Sequence, residues 1–474
     1  MEERRLMHEE LGDPGISPGS SGAGGLELAH RGEAPPIPET LADSGLSQAF
    51  VSDLLLKTLY VRGTRTGTEL MEHLCLPFTL LDDAVLDLQQ RALLEVRGVE
   101  GHGRRGYRFD VTGEGRARAR EIMQGSPYVG PAPVPGDVYR QWVRQQSLRS
   151  ETITPDQIQR GFRHLVLSPE FADRIGPGIN AGRSIFLYGP PGNGKTEVAY
   201  ATAGILGTAI YVPYAVEIGG HIISLYDPHM HEEAPEEHDQ VTDSLLSNRP
   251  QHDPRFVRIR RPSVMVGGEL TLDQLELQYD PAGGIYMAPP QMKANGGVFV
   301  IDDFGRQRVR PRDLLNRWMI PLDKGIDYLG LPSGQKLEMP FDSLVVFSTN
   351  LNPADLVEEA FLRRIRYKIL MDNPTRDQYY EIFRRMAVRA GIEFRPDAME
   401  HIFDEYYDRQ GISPRACHPR DILSDLVDLA TYKGIQPSLS EDLVEEACRS
   451  YFIDMPKPGA TGYDDPSRGD RRGR

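Results

Sequence analysis

Cysteine, tryptophan and long apolar segments are all scarce in this chain of 474 residues. The three cysteines, Cys75, Cys417 and Cys448, have the spacing of neither a disulfide framework nor a zinc site, so a reducing compartment is expected. No apolar run approaches the about 18 residues that a membrane span needs. No apolar region follows the first five residues, as it would in a secretion signal. These absences predict a cytoplasmic protein without membrane contact.

Net basic charge is also lacking, since the formal net charge is −15. This balance argues against a protein that coats nucleic acid, although it leaves room for a local basic site. A chain of this length is expected to hold about two or three domains.

Composition divides the chain into six segments. The predicted segments are a disordered tail (1–44), a compact helical domain with a β-hairpin (45–124), a Pro/Gly-rich linker (125–150), an α/β core (151–372), a helical segment (373–455) and a polar tail (456–474). Within the core, residues 209–213 are expected to form its second strand. Residues 216–295 are interpreted as a β-rich insertion that faces the substrate.

The 45–124 segment has three helical patterns, then a strand, a glycine-rich hairpin, a second strand and a helix. This order resembles a winged helix-turn-helix domain. Its third helix carries Asp82, Asp83 and Asp87, which would oppose phosphate binding. The basic residues cluster elsewhere, in the hairpin and the last helix: Arg104, Arg105, Arg116, Arg118 and Arg120. Protein docking or self-association is therefore favoured over DNA contact, and both stay open.

The core begins with a phosphate-binding pattern between an apolar strand and a helix-forming run. The pattern consists of Gly189, Pro190, Pro191, Gly192, Asn193, Gly194, Lys195 and Thr196. Glycines let successive backbone N–H groups face phosphate oxygens, and the following helix adds its positive N-terminal end. Lys195 can reach the β- and γ-phosphates, and Thr196 can hold Mg²⁺. The predicted cofactors are therefore ATP and Mg²⁺.

Two further apolar strands end in polar side chains. Residues 297–301 lead to Asp302 and Asp303, which we expect to orient water on Mg²⁺ and to polarise the attacking water, respectively. Residues 344–349 lead to Asn350. A hairpin is predicted just before this strand, around a Pro-Ser-Gly turn at residues 332–334.

Taken in order, the P-loop, the Asp302–Asp303 strand, the Asn350 strand and the run Ala360–Ile365 resemble the AAA+ ATPases. The hairpin resembles the branch with a pre-sensor-1 hairpin, which includes the MoxR-type ATPases; the Gly-Ala-Phe-Thr-Gly-Ala loop of sigma-54 activators is absent. The resemblance implies that Asn350 is sensor 1 and that residues 373–455 are the lid, with Arg420 as sensor 2. It further implies an arginine finger, best matched by Arg364 with Arg363 and Arg366 as rivals, and a homo-oligomeric ring, usually a hexamer.

One departure from the family concerns Asp303, because the family normally has glutamate at this position. We therefore expect slower hydrolysis, or a slightly different position of the attacking water. The leading hypothesis is an ATPase that remodels a protein client, as MoxR-like chaperones do. The alternatives are a DNA-directed ATPase, such as a loader or a transposition or defence factor, and a slow nucleotide-dependent switch.

Overall fold

The computed structural model describes residues 34–235, 252–331, 333–356 and 363–452. The tail predicted for residues 456–474 lies outside these ranges, as does most of the tail predicted for residues 1–44. Residues 34–44 are described, and they include a short helix, α1 (Leu41–Ser44), capped by Thr40. The Pro35 carbonyl accepts a hydrogen bond of 2.8 Å from the backbone N–H of Asp253. This end of the predicted tail is therefore folded, because its backbone is held by the insertion.

The next unit packs helices against a small antiparallel sheet. Its elements are α2 (Gln48–Arg62), β1 (Arg65–Thr66), α3 (Gly67–Leu74), α4 (Phe78–Gln90), β2 (Leu94–Val99), β3 (Tyr107–Val111) and α5 (Gly113–Gly125). The sheet order is β1-β3-β2. Leu55 of α2, Leu81 of α4 and Phe109 of β3 are fully buried in one apolar cluster. The three helices, the hairpin and the closing helix have the predicted order.

The Pro/Gly-rich segment 125–150 differs from the extended linker that its composition predicts. It contains β4 (Val134–Pro135) and α6 (Gly136–Gln145). β4 pairs in parallel with residues of the insertion, Val134 opposite Val216. Trp142 of α6 packs edge-on against Phe256, with ring centroids 6.0 Å apart. Burial of these apolar side chains outweighs the local tendency of proline and glycine to leave the chain extended.

The α/β core contains most of the strands. In chain order its elements are α7 (Pro155–Phe162), α8 (Pro169–Asn180), β5 (Ser184–Tyr188), α9 (Lys195–Ile205), β6 (Ile210–Pro213), β7 (Ala215–Ile218), β8 (His221–Ser224), β9 (Phe256–Ile259), β10 (Ser263–Val266), β11 (Gln278–Asp280), β12 (Ile285–Met287), α10 (Pro290–Lys293), β13 (Val298–Ile301), α11 (Pro311–Lys324), β14 (Ile326–Gly330), β15 (Lys336–Pro340), β16 (Leu344–Thr349), α12 (Pro353–Leu356) and β17 (Tyr367–Leu370). Five of these strands form one all-parallel sheet in the order β10-β13-β16-β5-β17. The central strands β13, β16 and β5 are buried and mostly apolar, as expected where both faces are covered by helices. The predicted class, an α/β fold with a parallel sheet consistent with a P-loop AAA+ core, is confirmed.

The second strand of the core is not the one that the sequence predicts. Residues 209–213 contain β6, which pairs with β9 in a separate two-stranded antiparallel sheet. The edge position of the parallel sheet belongs instead to β10, whose Val264 pairs with Phe299 of β13. β10 lies within the segment interpreted as an insertion. Both runs are short and apolar, and such periodicity predicts a strand without specifying its partner.

Strands β7, β8, β11 and β12 form a mixed sheet with β4 of segment 125–150, in the order β11-β12-β8-β7-β4. The predicted hairpin before β16 is present, because β14 and β15 pair antiparallel from Ile326↔Pro340 to Gly330↔Lys336. A carboxylate oxygen of Glu276 accepts a 2.6 Å hydrogen bond from the Gly330 N–H. The hairpin and the insertion are thus in direct contact.

The helical segment after β17 consists of α13 (Arg376–Arg389), α14 (Pro396–Ile402), α15 (His418–Lys433) and α16 (Glu441–Tyr451), with a π-helical turn over Phe403–Asp408. Tyr379, Phe383 and Met399 are fully buried in its own apolar cluster. Among the residues described, no helix is both long enough and apolar enough to cross a membrane.

Candidate nucleotide site

At three positions of the loop between β5 and α9, the backbone has a conformation that only glycine adopts readily. Gly189, Gly192 and Gly194 have φ values of 140°, 82° and 80°. A Cβ atom on Gly189 would also lie 2.3 Å from the carbonyl oxygen of Met371, and one on Gly192 would lie 2.5 Å from Sγ of Cys417. The glycines therefore allow both the curl of the loop and its close contact with neighbouring segments.

Lys195, the first residue of α9, is 6% exposed. Its Nζ donates to the carbonyl oxygens of Gly189 at 3.0 Å and Pro190 at 2.8 Å, which hold the side chain across the loop. An ammonium group has three donors, so one remains for a ligand. Burial lowers the pKa of Lys195, whereas Asp302 and Asp303 act in the opposite direction. Both carboxylates are therefore within electrostatic range of this ammonium group.

Thr196 and Asp302 are brought together by the adjacent ends of the loop and β13. The Thr196 hydroxyl donates to Oδ2 of Asp302 at 3.0 Å. Two hard oxygen donors at this separation fit Mg²⁺, which prefers one or two protein oxygens together with water and phosphate. Thr196 and Asp302 are therefore the residues that would hold the ion.

Asp303 and Asn350 form a second pair, across the ends of β13 and β16. The Asn350 side-chain N–H donates to Oδ1 of Asp303 at 3.1 Å. Asp303 has φ = 48°, in the left-handed region that aspartate and asparagine enter more readily than other side chains. This backbone gives a local reason for aspartate where the family resemblance leads one to expect glutamate.

The carboxyl end of β13 is supported by a residue that the sequence analysis did not identify. Gln307 donates through Nε2 to the Asp302 carbonyl at 2.8 Å and accepts from the Gly305 N–H at 2.8 Å. The Phe304 N–H donates to the Ser348 carbonyl of β16 at 2.7 Å. These contacts hold the turn that carries both carboxylates. No local motif distinguishes Gln307, because its role depends on the folded turn.

The C-terminal helical segment, predicted to be the lid, reaches the P-loop at the start of α15. The Cys417 N–H donates to the Gly192 carbonyl at 2.8 Å. Arg420 lies in the first turn of α15, where its Nε donates to Oδ1 of Asp421 at 3.0 Å. Asp421 raises the pKa of Arg420, and Glu197 at the start of α9 contributes in the same direction. The predicted sensor 2 is thus on the part of the lid that contacts the loop.

The candidate arginine fingers lie just before β17 in the chain. Arg364 donates through Nε to Asp323 near the end of α11 at 2.9 Å, with its side chain 30% exposed. Arg363 and Arg366 are exposed. The fold thus brings together the P-loop, Asp302, Asp303 and Asn350.

Comparisons with known proteins assign no activity to the chain. A family model described as a domain of unknown function (DUF8689) matches residues 375–450, which lie in the C-terminal helical segment. No curated protein matches.

Among solved structures, NtrX from Brucella abortus aligns at 15% identity and a TM-score of 0.35, over 73% of this chain and 62% of the NtrX chain. The chain thus spans less than two thirds of the NtrX length. The RuvB Holliday junction branch migration motor from Thermotoga maritima aligns at 18% identity and a TM-score of 0.32, over 66% of this chain and 74% of RuvB. Both TM-scores are below 0.5, so the evidence for the P-loop core is the strand order and the loop geometry described above.

Proposed function

We propose that this chain is a Mg²⁺-dependent AAA+ ATPase that works in the cytoplasm as a homo-oligomeric ring of six subunits and remodels a macromolecular client. The observation that carries the proposal is the meeting of two pairs beside the P-loop lysine. Thr196 contacts Asp302 at 3.0 Å, and Asn350 contacts Asp303 at 3.1 Å. Phosphoryl transfer to water needs groups that bind the phosphates, hold a metal ion and position the attacking water. One edge of the sheet supplies these groups as a phosphate-binding loop, a hard cation site and a carboxylate–amide pair.

Each side chain has a distinct task in this proposal. Lys195 and the loop N–H groups bind the phosphates, and Thr196 with Asp302 holds Mg²⁺. When bound, the ion supplies charge neutralisation for the phosphate oxygens. Asp303 accepts a proton from the attacking water, and Asn350 orients Asp303 and that water. Arg420 stabilises negative charge from the lid, and Arg364 does so in the site of a neighbouring subunit.

We further propose that residues 45–124 are a winged-helix-like unit that docks a protein client, by analogy with MoxR-like chaperones. The charges on this unit support a protein over DNA. Arg104 of the hairpin donates to both carboxylate oxygens of Asp82 on α4 at 2.9 Å. Arg118 is paired with Glu121 at 2.7 Å. Arginines that already have carboxylate partners contribute less to phosphate neutralisation, on which DNA affinity largely rests.

The test is the steady-state ATPase rate of the full chain, alone and with duplex or single-stranded DNA, at low and moderate salt. We expect Mg²⁺-dependent turnover that Lys195→Ala abolishes and that DNA leaves unchanged. Gln410→Ala, at an exposed amide of the lid, is the control for nonspecific effects. DNA stimulation that weakens with salt would favour the DNA-directed ATPase. Nucleotide binding with negligible turnover would favour the slow switch, and absence of nucleotide binding would refute the proposal.

A further inference from the structure

The P-loop is joined to the lid by hydrogen bonds from the side chain of one loop residue, Asn193. Asn193 is 6% exposed although it lies in the loop. Its Nδ2 donates to Oδ1 of Asn373 at 2.9 Å, and its Oδ1 accepts from the Ala416 N–H at 3.2 Å. Asn373 lies between β17 and α13, where the core passes into the lid, and Ala416 lies just before α15. One amide thus bridges the loop to two separate points of the lid.

The neighbouring loop residue makes the same connection through the backbone. The Gly192 carbonyl accepts from the Cys417 N–H at 2.8 Å. The two segments are in such close contact that a Cβ on Gly192 would lie 2.5 Å from the Cys417 sulfur. A displacement of Gly192 and Asn193 therefore has to move Ala416 and Cys417 or break these hydrogen bonds.

We infer that Asn193 is a positioning residue that couples the state of the P-loop to the position of the lid. The inference deepens the proposed function and rests on it for the identity of the ligand. The Asn193 amide makes one hydrogen bond through Nδ2 and one through Oδ1, and both lead to the segment that begins at residue 373. Its contribution is to transmit loop movement to α15, which carries Arg420 on its first turn.

Backbone hydrogen exchange of the full chain without nucleotide tests the connection directly, with no need for activity. Asn193→Ala removes the acceptor of the Ala416 N–H. We expect exchange at residues 416–417 to rise about tenfold, which corresponds to about 1.4 kcal/mol of lost hydrogen bonding. Gln410→Ala, which alters an exposed amide on the same lid, should leave this exchange unchanged.

Variants of Asn373 distinguish coupling through the Asn193 amide from direct loss of the acceptor for the Ala416 N–H. No described hydrogen bond joins the Asn373 side chain to Ala416. Asn373→Ala takes away the acceptor that orients the Asn193 amide, so exchange at residue 416 should also rise. Asn373→Asp keeps an acceptor oxygen and should restore the wild-type rate. Unchanged exchange at residue 416 in both Asn193→Ala and Asn373→Ala would overturn the inference.

The second measurement is the response of this exchange to bound nucleotide. In the wild-type chain, ADP should alter exchange at residues 416–417. In Asn193→Ala, a fluorescent ADP analogue should bind within about threefold of wild-type affinity, yet exchange at these residues should no longer respond. The ATPase kcat should fall about tenfold, with KM little changed. A rise in KM with unchanged kcat would overturn the coupling role. If the wild-type chain binds no nucleotide, the proposed function fails, whereas the exchange measured without nucleotide still tests the bridge.

Discussion

Replacing Asp303 with asparagine removes one negative charge and changes little else around the site. Asparagine has the same shape and enters the left-handed backbone region as readily as aspartate, so φ = 48° is retained without added strain. The amide oxygen can still accept the 3.1 Å hydrogen bond from Asn350. We therefore expect Asp303→Asn to fold with a free energy of unfolding within about 0.5 kcal/mol of wild type.

Turnover should respond very differently from stability. A positioned general base contributes about 10²–10⁴-fold to a rate, or about 3–5 kcal/mol of activation free energy. Asp303 contacts neither Lys195 nor Thr196 through a described hydrogen bond, so nucleotide affinity should stay within a few-fold of wild type. The ATPase rate and the Kd of a fluorescent nucleotide, measured on one preparation, separate the two effects.

Asp302→Asn is the matched comparison, because it removes a carboxylate one residue away. Asp302 accepts from Thr196 at 3.0 Å and would ligate Mg²⁺, so this variant should raise the Mg²⁺ concentration needed for half-maximal activity. A rate for Asp303→Asn within threefold of wild type would refute the assignment of Asp303 as the base. Equal effects of the two variants on Mg²⁺ dependence would refute the division of roles between them.

Three further predictions concern the loop, the lid and the ring. Gly192→Ala should weaken nucleotide binding by at least tenfold in a binding assay, and Cys417→Ala should restore part of it, because it removes the sulfur 2.5 Å from the added Cβ; no restoration would contradict the steric reason. Burial lowers the pKa of His418 in the folded chain to about 4. As pH drops, this histidine is therefore protonated in the unfolded chain before it is protonated in the folded chain, and the free energy of unfolding falls between pH about 6.5 and pH about 4. His418→Gln should therefore lose less thermal stability than wild type between pH 7 and pH 5, and equal losses would exclude this cause. Arg364→Ala should lose turnover but keep nucleotide affinity, and mixing it with the inactive Lys195→Ala chain should restore activity if the arginine acts between subunits.

The parts of the fold and of the candidate site that could be predicted from the sequence are those determined by residues close together in the chain. Helix α13 begins where Thr375 and Gln378 form a reciprocal cap, and such signals lie within a few residues of each other. The P-loop is similar, because its glycines, Lys195 and Thr196 are consecutive. The order of helices and hairpin in the 45–124 unit follows from the same kind of short-range pattern.

The parts that could not be predicted depend on pairing between distant residues. Asn193 meets Asn373 across 180 residues and Ala416 across 223 residues. Nothing near Asn193 in the sequence indicates either partner. The same limit applies to β10, whose place in the parallel sheet depends on β13, and to α6, whose burial depends on Phe256. Local composition therefore predicted an extended linker where the folded chain has a packed helix.

The folded state of segment 125–150 changes how the 45–124 unit can work. The Lys57 ammonium donates to the Ser126 carbonyl at 2.8 Å, and the Ala132 N–H donates to the Leu74 carbonyl at 2.8 Å, so the connecting segment is held along the unit. Ala215 of β7 and Ile222 of β8, two strands of the insertion sheet, belong to the apolar cluster of the same unit. The 45–124 unit is therefore packed against the insertion sheet, so a client bound to this unit would not be attached through a flexible linker. Because Glu276 of the insertion also contacts Gly330 in the hairpin before β16, a movement of the core at Asn350 would reach such a client through packed elements.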